Sequence, residues 1–417
     1  MITQRIVILG AGFAGLQVAR RLSGDAFDIT LIDQYNFHQF QPLMYQVATA
    51  RLEPSSISFP LRKVFQQKHN VHIRLANILS IDTNNQTVLT EAEVYPYDQL
   101  IIATGCTTNY FGNKNIETHA YPMKSTNEAL ALRNHILQNF EDALTAEPEQ
   151  LHALMNIVVV GGGPTGVELS GSLAELKTNI LPKDYPDMDF STLNIYLLEA
   201  GPATLGVMSK AAQVKSQLYL EKMGVHVLTN TAVKDYDGST IVLADGNEIH
   251  SKTMIWAAGV IGNVPVGIDV DKLVRGNRIK VDNFNKVEGL KNVFALGDIA
   301  YMETAQFPKG HPQLANVAIE QSKNLVKNLY ALTQNKLLKP FSYKNPGTMA
   351  TVGKRKAVVD LPGFSFQGRL AWFVWMFLHL MLIVSVKNRL FIFINWAISY
   401  FTNDTTLRLI LKPQRKV

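Results

Sequence analysis

Residues 5–15 read Arg5-Ile-Val-Ile-Leu-Gly-Ala-Gly-Phe-Ala-Gly15. A short β-branched run, closely spaced glycines and the helix-spaced apolar residues that follow predict a strand, a tight turn and a helix. Gly10 permits the turn, Gly12 lets the backbone approach a pyrophosphate, and Gly15 lets the helix pack closely on the strand. Because N–H groups at a helix N-terminus favour phosphate, this turn is predicted to bind a dinucleotide.

The same pattern occurs a second time, in Ile157-Val-Val-Val-Gly-Gly-Gly-Pro-Thr-Gly166. Gly161, Gly163 and Gly166 repeat the spacing of the first three glycines, and apolar residues at helical spacing again follow. Later in each half, an apolar strand ends in a small-residue turn, at 100–105 and at 254–259. The sequence therefore contains an internal duplication of one nucleotide-binding plan.

A strand that ends in an acid follows each glycine turn. Asp33 lies 23 residues after the first glycine of its turn, where a carboxylate accepts hydrogen bonds from ribose hydroxyls. Glu199 lies 38 residues after the first glycine of the second turn, and it favours NADH over NADPH because it repels a 2′-phosphate. A third acid, Asp298, follows another apolar strand and can accept from the ribityl hydroxyls of a flavin or cap the next helix. Together these sites indicate FAD plus a nicotinamide.

The expected fold class is α/β, with two Rossmann-like dinucleotide-binding domains and a C-terminal amphipathic helical region that anchors the protein to a membrane. A discontinuous FAD-binding domain is predicted at 1–120 and 280–330. An NADH-binding domain is predicted at 121–279, and the C-terminal region at 331–417.

Three segments between the motifs also have readable patterns. The spacing of apolar residues predicts a helix over 127–144. Prolines and aspartates over 182–192 indicate a surface loop, and 232–250 reads as strand-turn-strand with Asp245-Gly246 as the hairpin turn.

A single cysteine, Cys106, limits the classes of function. It excludes a disulfide framework, a four-thiolate metal site and a Cys-x-x-Cys redox pair within this chain, and no metal site is predicted. The first apolar run is too short for a secretory peptide, so the protein is expected to stay inside the cell.

The net charge of +6 is concentrated at the C-terminal end, where residues 354–417 carry ten basic and two acidic side chains. Apolar runs at 370–384 and 390–401 are shorter than the about 20 residues needed to span a bilayer. Three of the four tryptophans lie here beside basic residues, which is typical of a membrane interface. Two helices lying in one leaflet are predicted, attracted in part by anionic lipid. A buried helical hairpin or a dimer interface is the alternative, and the apolar blocks between the bases argue against nucleic acid.

Three longer segments resemble the type II NADH dehydrogenases, single-chain NADH:quinone oxidoreductases that do not pump protons. The resemblance covers essentially the whole chain. The segments are Asn36-Phe-His-Gln-Phe-Gln-Pro-Leu-Met-Tyr-Gln-Val-Ala-Thr49, Val160-Gly-Gly-Gly-Pro-Thr-Gly-Val-Glu168, and the tail from Gly368-Arg-Leu-Ala-Trp-Phe-Val-Trp375 through Asn388-Arg-Leu390 to Asn395-Trp-Ala-Ile-Ser-Tyr-Phe-Thr402. The resemblance implies hydride transfer from NADH to FAD and then two electrons to a membrane quinone. It also implies a peripheral, monotopic protein on the cytoplasmic face of the cell inner membrane, and it leaves a homodimer open.

The resemblance further implies that the first half and the Gly297-Asp298 segment hold FAD and that the second half holds NADH. The expected FAD contacts are Gly10, Gly12, Phe13, Ala14, Gly15, Asp33, Gln34, Ala103, Thr104, Gly105, Asp298 and Ala315. The expected NADH contacts are Gly161, Gly163, Thr165, Gly166, Glu199, Ala258 and Gly259. Glu168 is implied to lie near the nicotinamide and flavin rings, on the first turn of its helix. The alternative is a charge that merely stabilises the helix N-terminus.

In the family, an Ala-Gln-x-Ala-x-Gln-Gln segment lies beside the quinone, and Ala315-Asn-Val-Ala-Ile-Glu-Gln321 corresponds to it. Asn316 and Glu320 replace glutamines, so the group that protonates the quinone is left open; Glu320 is either that donor or a surface helix acid. Gln321 and Lys356 complete the expected catalytic residues. Backbone N–H groups near Ala318–Gln321, taken as a helix start, are expected to stabilise negative charge on the reduced flavin.

The competing interpretation is a soluble NAD(P)H-dependent FAD reductase of another protein acceptor, such as a ferredoxin or rubredoxin, which would not need the aromatic tail. Disulfide reductases and sulfide:quinone reductases need reactive cysteines that this chain does not supply. An NADH-sensing scaffold, which binds nucleotide without turnover, belongs to a different class and would not be bleached by NADH and reoxidised by a quinone.

Overall fold

A computed structural model describes residues 3–402 and 407–411. The chain divides into two units: the first unit is Met1–Gln39, Phe59–Thr107 and Val260–Lys344, and the second unit is Phe40–Ser58, Thr108–Gly259 and Asn345–Val417. The second unit thus contains both the second glycine turn and the C-terminal tail. The division into an FAD domain, an NADH domain and a C-terminal region concerns ligands, and it stays a prediction.

The strands are short, and the central ones are rich in buried Val, Ile and Leu. Numbered along the chain they are β1 Gln4–Leu9, β2 Phe27–Asp33, β3 Phe37–Gln39, β4 Ser58–Pro60, β5 Val71–Leu75, β6 Ile78–Asp82, β7 Thr87–Thr90, β8 Val94–Pro96, β9 Gln99–Ile102, β10 Cys106–Thr108, β11 Tyr121–Pro122, β12 Asn156–Val160, β13 Asn194–Leu198, β14 Val225–Leu228, β15 Val233–Tyr236, β16 Thr240–Leu243, β17 Glu248–His250, β18 Thr253–Trp256, β19 Val260–Gly262, β20 Leu273–Val274, β21 Arg278–Lys280, β22 Val293–Ala295, β23 Ala300–Tyr301, β24 Thr348–Thr351, β25 Ala357–Leu361 and β26 Phe364–Gly368.

The helices range from single turns to five turns. They are α1 Phe13–Arg21, α2 Met44–Ala48, α3 Pro54–Ile57, α4 Leu61–Val64, α5 Lys114–His119, α6 Thr126–Ala143, α7 Pro148–Leu154, α8 Pro164–Asn179, α9 Leu181–Asp184, α10 Lys210–Glu221, α11 Ala315–Thr333, α12 Arg369–Leu382 and α13 Val386–Thr402. Short 3₁₀ turns lie at Gln41–Leu43, Phe190–Thr192, Val270–Lys272 and Gly297–Ile299.

The first unit is built on a five-stranded parallel sheet of order β22-β9-β1-β2-β5. β1 is its central strand and pairs in parallel with β2 and β9. Strands of a parallel sheet are covered on both faces, which explains the continuous apolar run that opens the sequence. Helix α1 packs against α11 within this unit, and the Ser322 hydroxyl of α11 donates to the Ala14 carbonyl oxygen at 3.0 Å.

The second unit repeats this plan in a parallel sheet of order β11-β18-β12-β13-β14. β12 takes the central place of β1, with β13 and β18 as its parallel neighbours. In both units a three-stranded antiparallel sheet is inserted along the chain before the last-formed neighbour of the central strand. It is β6-β7-β8, between β5 and β9, in the first unit, and β15-β16-β17, between β14 and β18, in the second. The duplication inferred from the glycines therefore extends to the whole nucleotide-binding plan, as predicted, and includes a sheet in the first half that the sequence did not reveal.

The predicted helix over 127–144 is confirmed as α6, which begins one residue earlier and ends one residue earlier. A capping box fixes its start: Glu128 N donates to the Ser125 hydroxyl at 3.2 Å, and Ser125 N donates to the Glu128 carboxylate at 2.9 Å. The predicted hairpin turn Asp245-Gly246 lies between β16 and β17, with β15 as a third strand. The segment 182–192 is less loop-like than expected, because it carries two helical turns and buries Phe190.

The tail forms the antiparallel sheet β24-β25-β26 followed by α12 and α13. The two apolar runs are thus helical, as predicted, whereas the sheet was not predicted. In the described part of the chain, no helix has both the length and the apolar content that a membrane span requires. The basic residues Lys412, Arg415 and Lys416 lie outside the described residues.

Candidate active site

The first glycine turn joins β1 to α1 and is closed by backbone on two sides. A Cβ atom added at Gly10, where φ is +95°, would lie 2.5 Å from the Ala103 carbonyl oxygen. One added at Gly15 would lie 1.9 Å from the Gly10 carbonyl oxygen. At Gly12 an added Cβ would meet no protein atom within 4 Å. The first and third glycines are therefore required by the protein itself, while the second faces open space at the N-terminus of α1.

The second glycine turn, between β12 and α8, has the same geometry. A Cβ at Gly161 would lie 2.5 Å from the Ala257 carbonyl oxygen, and one at Gly166 would lie 1.9 Å from the Gly161 carbonyl oxygen. At Gly163 an added Cβ again meets nothing within 4 Å. Open space before a helix N-terminus, with glycine in front of it, is what a pyrophosphate needs in order to approach backbone N–H groups. Both turns fit a dinucleotide.

Asp33, at the end of β2, holds the first turn in place. Its carboxylate accepts from Ala11 N at 2.6 Å and from Tyr35 N at 2.7 Å. Burial raises the pKa of Asp33, and these two hydrogen bonds partly offset that increase. Each carboxylate oxygen keeps further acceptor capacity for a ribose hydroxyl. The acid therefore supports the turn as well as the predicted ligand.

Glu199, just after β13, makes the matching pair of contacts in the second turn. Its carboxylate accepts from Gly162 N and from Gly201 N, both at 2.6 Å. The difference in spacing along the sequence, 23 residues against 38, therefore leaves the geometry unchanged. Of the other expected NADH contacts, Thr165 is exposed, and Ala258 and Gly259 are half-buried.

Asp298 lies in the 3₁₀ turn Gly297–Ile299, after the strand β22. Its carboxylate accepts from the Cys106 Sγ–H at 3.0 Å. Gly297 N donates to the side-chain oxygen of Gln321, a buried residue of α11, at 2.7 Å. The alternative role of Asp298 as a helix cap is wrong, because Leu296 occupies the cap position. Gln321 therefore positions this turn from within the first unit.

The remaining expected FAD contacts lie around the same turns of the first unit. The Thr104 hydroxyl donates to the Asn263 carbonyl oxygen at 2.6 Å, and Gln34 is exposed. Ala14 and Ala103 are buried, while Phe13, Gly105 and Ala315 are half-buried.

Helix α11 starts earlier than the sequence interpretation placed it. Leu314 is its N-cap, and Ala318 N already donates to the Leu314 carbonyl oxygen at 3.1 Å. Amides that lack an intrahelical acceptor belong to the first residues of a helix, here 315–317. The expectation that amides of Ala318–Gln321 stabilise the reduced flavin is therefore wrong, since those amides lie within the helix.

Three residues that were expected to lie beside the quinone differ from one another in their surroundings. Glu320 is exposed and forms an ion pair with Lys323 at 2.5 Å, which favours the surface-acid alternative over a proton donor. Asn316 is half-buried on the first turn of α11. Lys356, which follows β24, places its ammonium 5.3 Å from the centre of the Tyr219 ring.

Glu168 is buried, with 8% of its surface exposed, in the second unit. Since α8 begins at Pro164, Glu168 lies on the second turn and not on the first as expected. Its carboxylate accepts from Thr351 N at 3.1 Å and from the Thr351 hydroxyl at 3.3 Å. Burial raises the pKa of Glu168 to about 8, and the Thr351 bonds offset only part of this effect. The nearby Trp375 indole lowers the pKa of Glu168 only slightly, because its N–H does not have the geometry of a hydrogen bond to the carboxylate.

Further buried side chains extend from Thr351, and the sequence interpretation did not single them out. The Tyr45 hydroxyl lies 3.0 Å from the Thr351 hydroxyl and accepts from the Gln46 amide nitrogen at 3.0 Å. Trp396 Nε1 of α13 donates to the Gln46 amide oxygen at 2.7 Å. Tyr45 and Gln46 lie in one of the segments that carried the family resemblance, but nothing in the sequence indicated that Thr351 joins them to Glu168.

A cavity of about 30 Å³ adjoins this cluster, which is space enough for water. Tyr45, Gln46, Lys354 and the indole rings of Trp375 and Trp396 contribute to its wall. Arg51, also in the wall, forms an ion pair with Glu175 of α8, and the backbone N–H of Lys354 donates to the same carboxylate. Burial lowers the pKa of Lys354 to about 8.

The raised pKa of Glu168 predicts how stability depends on pH. The folded protein binds a proton at Glu168 up to about pH 8, whereas the unfolded chain releases it near 4.5. Stability from this group is therefore lost as the pH rises between those values, by at most about 1.4 kcal/mol per pH unit. Glu168→Gln should remove this slope, so chemical denaturation curves of the variant and the parent should diverge with rising pH in favour of the variant. Curves that stay parallel would show that Glu168 titrates normally.

The fold and the two glycine turns define a class of oxidoreductase that holds two nucleotides. Residues 4–322 match the model of the pyridine nucleotide-disulphide oxidoreductase family, and residues 346–403 match that of the NDH2 C-terminal domain. A solved structure of NDH2 from Plasmodium falciparum in complex with NADH shares the fold, with a TM-score of 0.90 and 21% identity. It covers 99% of this chain and 100% of that one.

Two curated relatives identify the family more specifically. Type II NADH:quinone oxidoreductase NdhA of Mycobacterium tuberculosis is 36% identical, with 95% of this chain and 87% of the relative aligned. An internal alternative NAD(P)H-ubiquinone oxidoreductase of Solanum tuberosum mitochondria is 30% identical, with 94% and 85% aligned. The chain belongs to the type II NADH:quinone oxidoreductase family.

Proposed function

We propose that this chain oxidises NADH through a bound FAD and reduces a membrane quinone without pumping protons. Family membership supports the reaction, and the matching glycine turns support two nucleotide sites in one chain. The observation that carries the proposal is the open space in front of both Gly12 and Gly163, each of which lies at a helix N-terminus. Beside each glycine, a carboxylate accepts a hydrogen bond from a backbone N–H of the turn.

FAD is assigned to the first unit and NADH to the glycine turn of the second. Backbone N–H groups at the start of α1 would bind the FAD pyrophosphate, Asp33 the ribose, and Asp298 the ribityl chain. When bound, FAD would supply the chemistry of this reaction, accepting a hydride and donating two electrons. Glu199 would bind the NADH ribose and disfavour a 2′-phosphate.

Glu168 is the acid that we assign to the reacting centre. Its pKa of about 8 keeps the carboxyl mostly protonated at neutral pH. A quinone needs protons as well as electrons, and a buried neutral acid can hold one and release it when the local charge changes. Asn316 and Lys356 are retained as proposed quinone contacts. Gln321 is proposed to act by positioning the Gly297–Ile299 turn.

The tail is proposed to bind the surface of a membrane. One side of α12 and α13 is packed in the second unit, through Ala371, Trp372, Trp375, Ile392 and Trp396. The other side leaves large apolar residues exposed, namely Leu370, Phe373, Phe377, Met381, Leu390, Phe391, Ile394, Ile398 and Phe401. An apolar surface of this extent, flanked by basic residues, favours lipid and gives access to a quinone dissolved in it. We place this surface on the cytoplasmic face of the cell inner membrane.

Introducing charge into this surface should release the protein from lipid. The double change Phe377→Glu and Phe391→Glu should lower partition onto anionic vesicles at least about tenfold, because each ring loses about 1.5 kcal/mol or more of burial and each glutamate repels anionic lipid. Vesicle co-sedimentation measures this. The matched control is Val207→Glu with Leu337→Glu, two exposed apolar residues outside the tail helices. Equal binding of both double variants, or loss of a dimer in place of lipid binding, would contradict the assignment.

The reaction is tested by anaerobic titration. NADH should bleach the flavin absorption quickly, NADPH should do so more slowly, and a quinone analogue should restore it. A protein that binds NADH without bleaching would be a nucleotide sensor. One that is bleached but not reoxidised by any quinone would be a reductase for another acceptor.

A further inference from the structure

The buried hydrogen bonds that join Trp396 to Glu168 have a fixed direction. An indole N–H can only donate, so the Gln46 group that faces Trp396 must be the amide oxygen. The Gln46 nitrogen therefore faces Tyr45 and donates to the phenol oxygen. Since that oxygen accepts from Gln46, the Tyr45 proton is directed to its other partner, the Thr351 hydroxyl.

Thr351 continues the same direction. Its hydroxyl oxygen accepts the proton of Tyr45 at 3.0 Å and directs its own proton to the Glu168 carboxylate at 3.3 Å. Trp396 thus fixes the orientation of the Gln46 amide, and this orientation fixes the direction in which the Tyr45 and Thr351 hydroxyl groups donate. Every hydrogen in the series points towards Glu168, which is the arrangement that delivers a proton to a carboxylate.

We propose that Tyr45 and Thr351 form an oriented proton path that reprotonates Glu168 from the adjoining cavity, with Gln46 and Trp396 of the tail helix α13 setting its direction. The proposal rests on the proposed function, in which Glu168 gives up a proton during quinone reduction. Tyr45 and Thr351 act only through Glu168, and the path gives the hydrogen bond between Trp396 of the tail helix α13 and Gln46 a role in turnover.

The transfer is balanced and moves no electrons. A water molecule in the cavity gives a proton to the Tyr45 oxygen as the Tyr45 proton passes to Thr351 and the Thr351 proton passes to Glu168. Each hydroxyl loses one proton and gains one, and hydroxide left in the cavity is neutralised by solvent. Burial raises the pKa of Tyr45 far above its ordinary value, so the phenol does not ionise and the protons move together.

The other ionisable groups around the path are paired or neutral, so Glu168 is the group that receives the proton. On α8, Glu175 is bound by Arg51 and by Lys354 N, so its charge is compensated. Lys354 donates through Nζ to the Ser399 carbonyl oxygen of α13. On α12, burial lowers the pKa of His379 to about 4, which keeps that ring neutral at physiological pH.

Thr351→Val tests the path with little change of shape. A methyl group replaces the hydroxyl, and the backbone N–H that also donates to Glu168 is kept. With NADH saturating, kcat for quinone reduction should fall about tenfold to hundredfold, the usual range for a lost proton-transfer group, while KM for NADH stays unchanged. Thr351→Ser keeps the hydroxyl and should restore most of the rate, whereas a role in packing alone would not be rescued in this way.

Ferricyanide provides the readout that distinguishes proton delivery from general damage, because it accepts electrons without protons. Tyr45→Phe and Thr351→Val should each lower the ratio of the quinone rate to the ferricyanide rate by about tenfold or more. Both should also raise the solvent deuterium isotope effect on quinone reduction. Trp396→Phe, which frees the Gln46 amide to turn, should give a smaller change in the same direction.

Two different failures can be told apart with the flavin-loaded protein. If the unmodified protein does not reduce quinone with NADH, the proposed function fails and the path fails with it. If it does, but Thr351→Val and Tyr45→Phe keep the parent ratio and isotope effect, only the path is overturned. Should Thr351→Val lose its flavin or its fold, Tyr45→Phe gives the decisive measurement.

Discussion

Gly12→Ala is expected to yield a folded protein without flavin. The new methyl group would meet no protein atom within 4 Å, and the backbone at Gly12, with φ −67°, is open to alanine. It would instead occupy the space through which a pyrophosphate reaches the N-terminus of α1. Flavin content by visible absorption should fall at least about tenfold, since a steric conflict of about 1.4 kcal/mol suffices for that. Thermal unfolding of the apoprotein should change little.

Gly163→Ala is the matched control, because its surroundings in the second unit are the same. It should keep the flavin and raise KM for NADH by a similar factor. Gly15→Ala would behave differently again, since its methyl group would lie 1.9 Å from the Gly10 carbonyl oxygen and would disrupt the turn itself. Loss of flavin from Gly163→Ala but not from Gly12→Ala would exchange the two nucleotide assignments.

Glu168→Gln should lower kcat for quinone reduction about 100-fold, because an amide of the same shape cannot carry the acidic proton. The pH dependence gives a second measure. The active form of Glu168 is protonated, so the parent rate should fall as the pH rises through about 8. That decline should be absent from the variant, whose residual rate is set by other groups.

Glu175→Gln separates this effect from the general cost of altering an acid on α8. Glu175 balances Arg51, so its loss leaves a part-buried charge without its partner and should destabilise the protein by about 1 to 3 kcal/mol. The decline of the rate near pH 8 should remain. If both variants lost it, the pH dependence would arise elsewhere in the second unit.

The nucleotide-binding plan could be predicted because its signals are local. Glycines at fixed spacing, apolar strands covered on both faces and a terminal acid are all readable within about thirty residues. Helix α6 was located to within one residue at each end because its capping box is also local. The same logic missed β6-β7-β8, because strands of five, four and three residues are too short to show a clear alternation of apolar and polar side chains.

The surroundings of Glu168 could not be predicted, since they join distant parts of the chain. Thr351 is 183 residues from Glu168, and Trp396 is 350 residues from Gln46. Nothing in the sequence around Thr351 indicates its partner, because a threonine in a strand is common and uninformative. Two helix starts were also misjudged, because α8 and α11 begin at Pro164 and Ala315, before the residues at which the sequence interpretation started them.

The double role of Glu199 has a consequence for engineering coenzyme preference. The usual route to NADPH is to replace such an acid with a small or basic residue. Here a replacement of Glu199 would also remove the hydrogen-bond acceptor of Gly162 N and Gly201 N. The loop that must bind the added phosphate would then be held less firmly. A redesign would need a second substitution that supplies a new acceptor for those amides, so a switch in coenzyme by one mutational step is disfavoured in this scaffold.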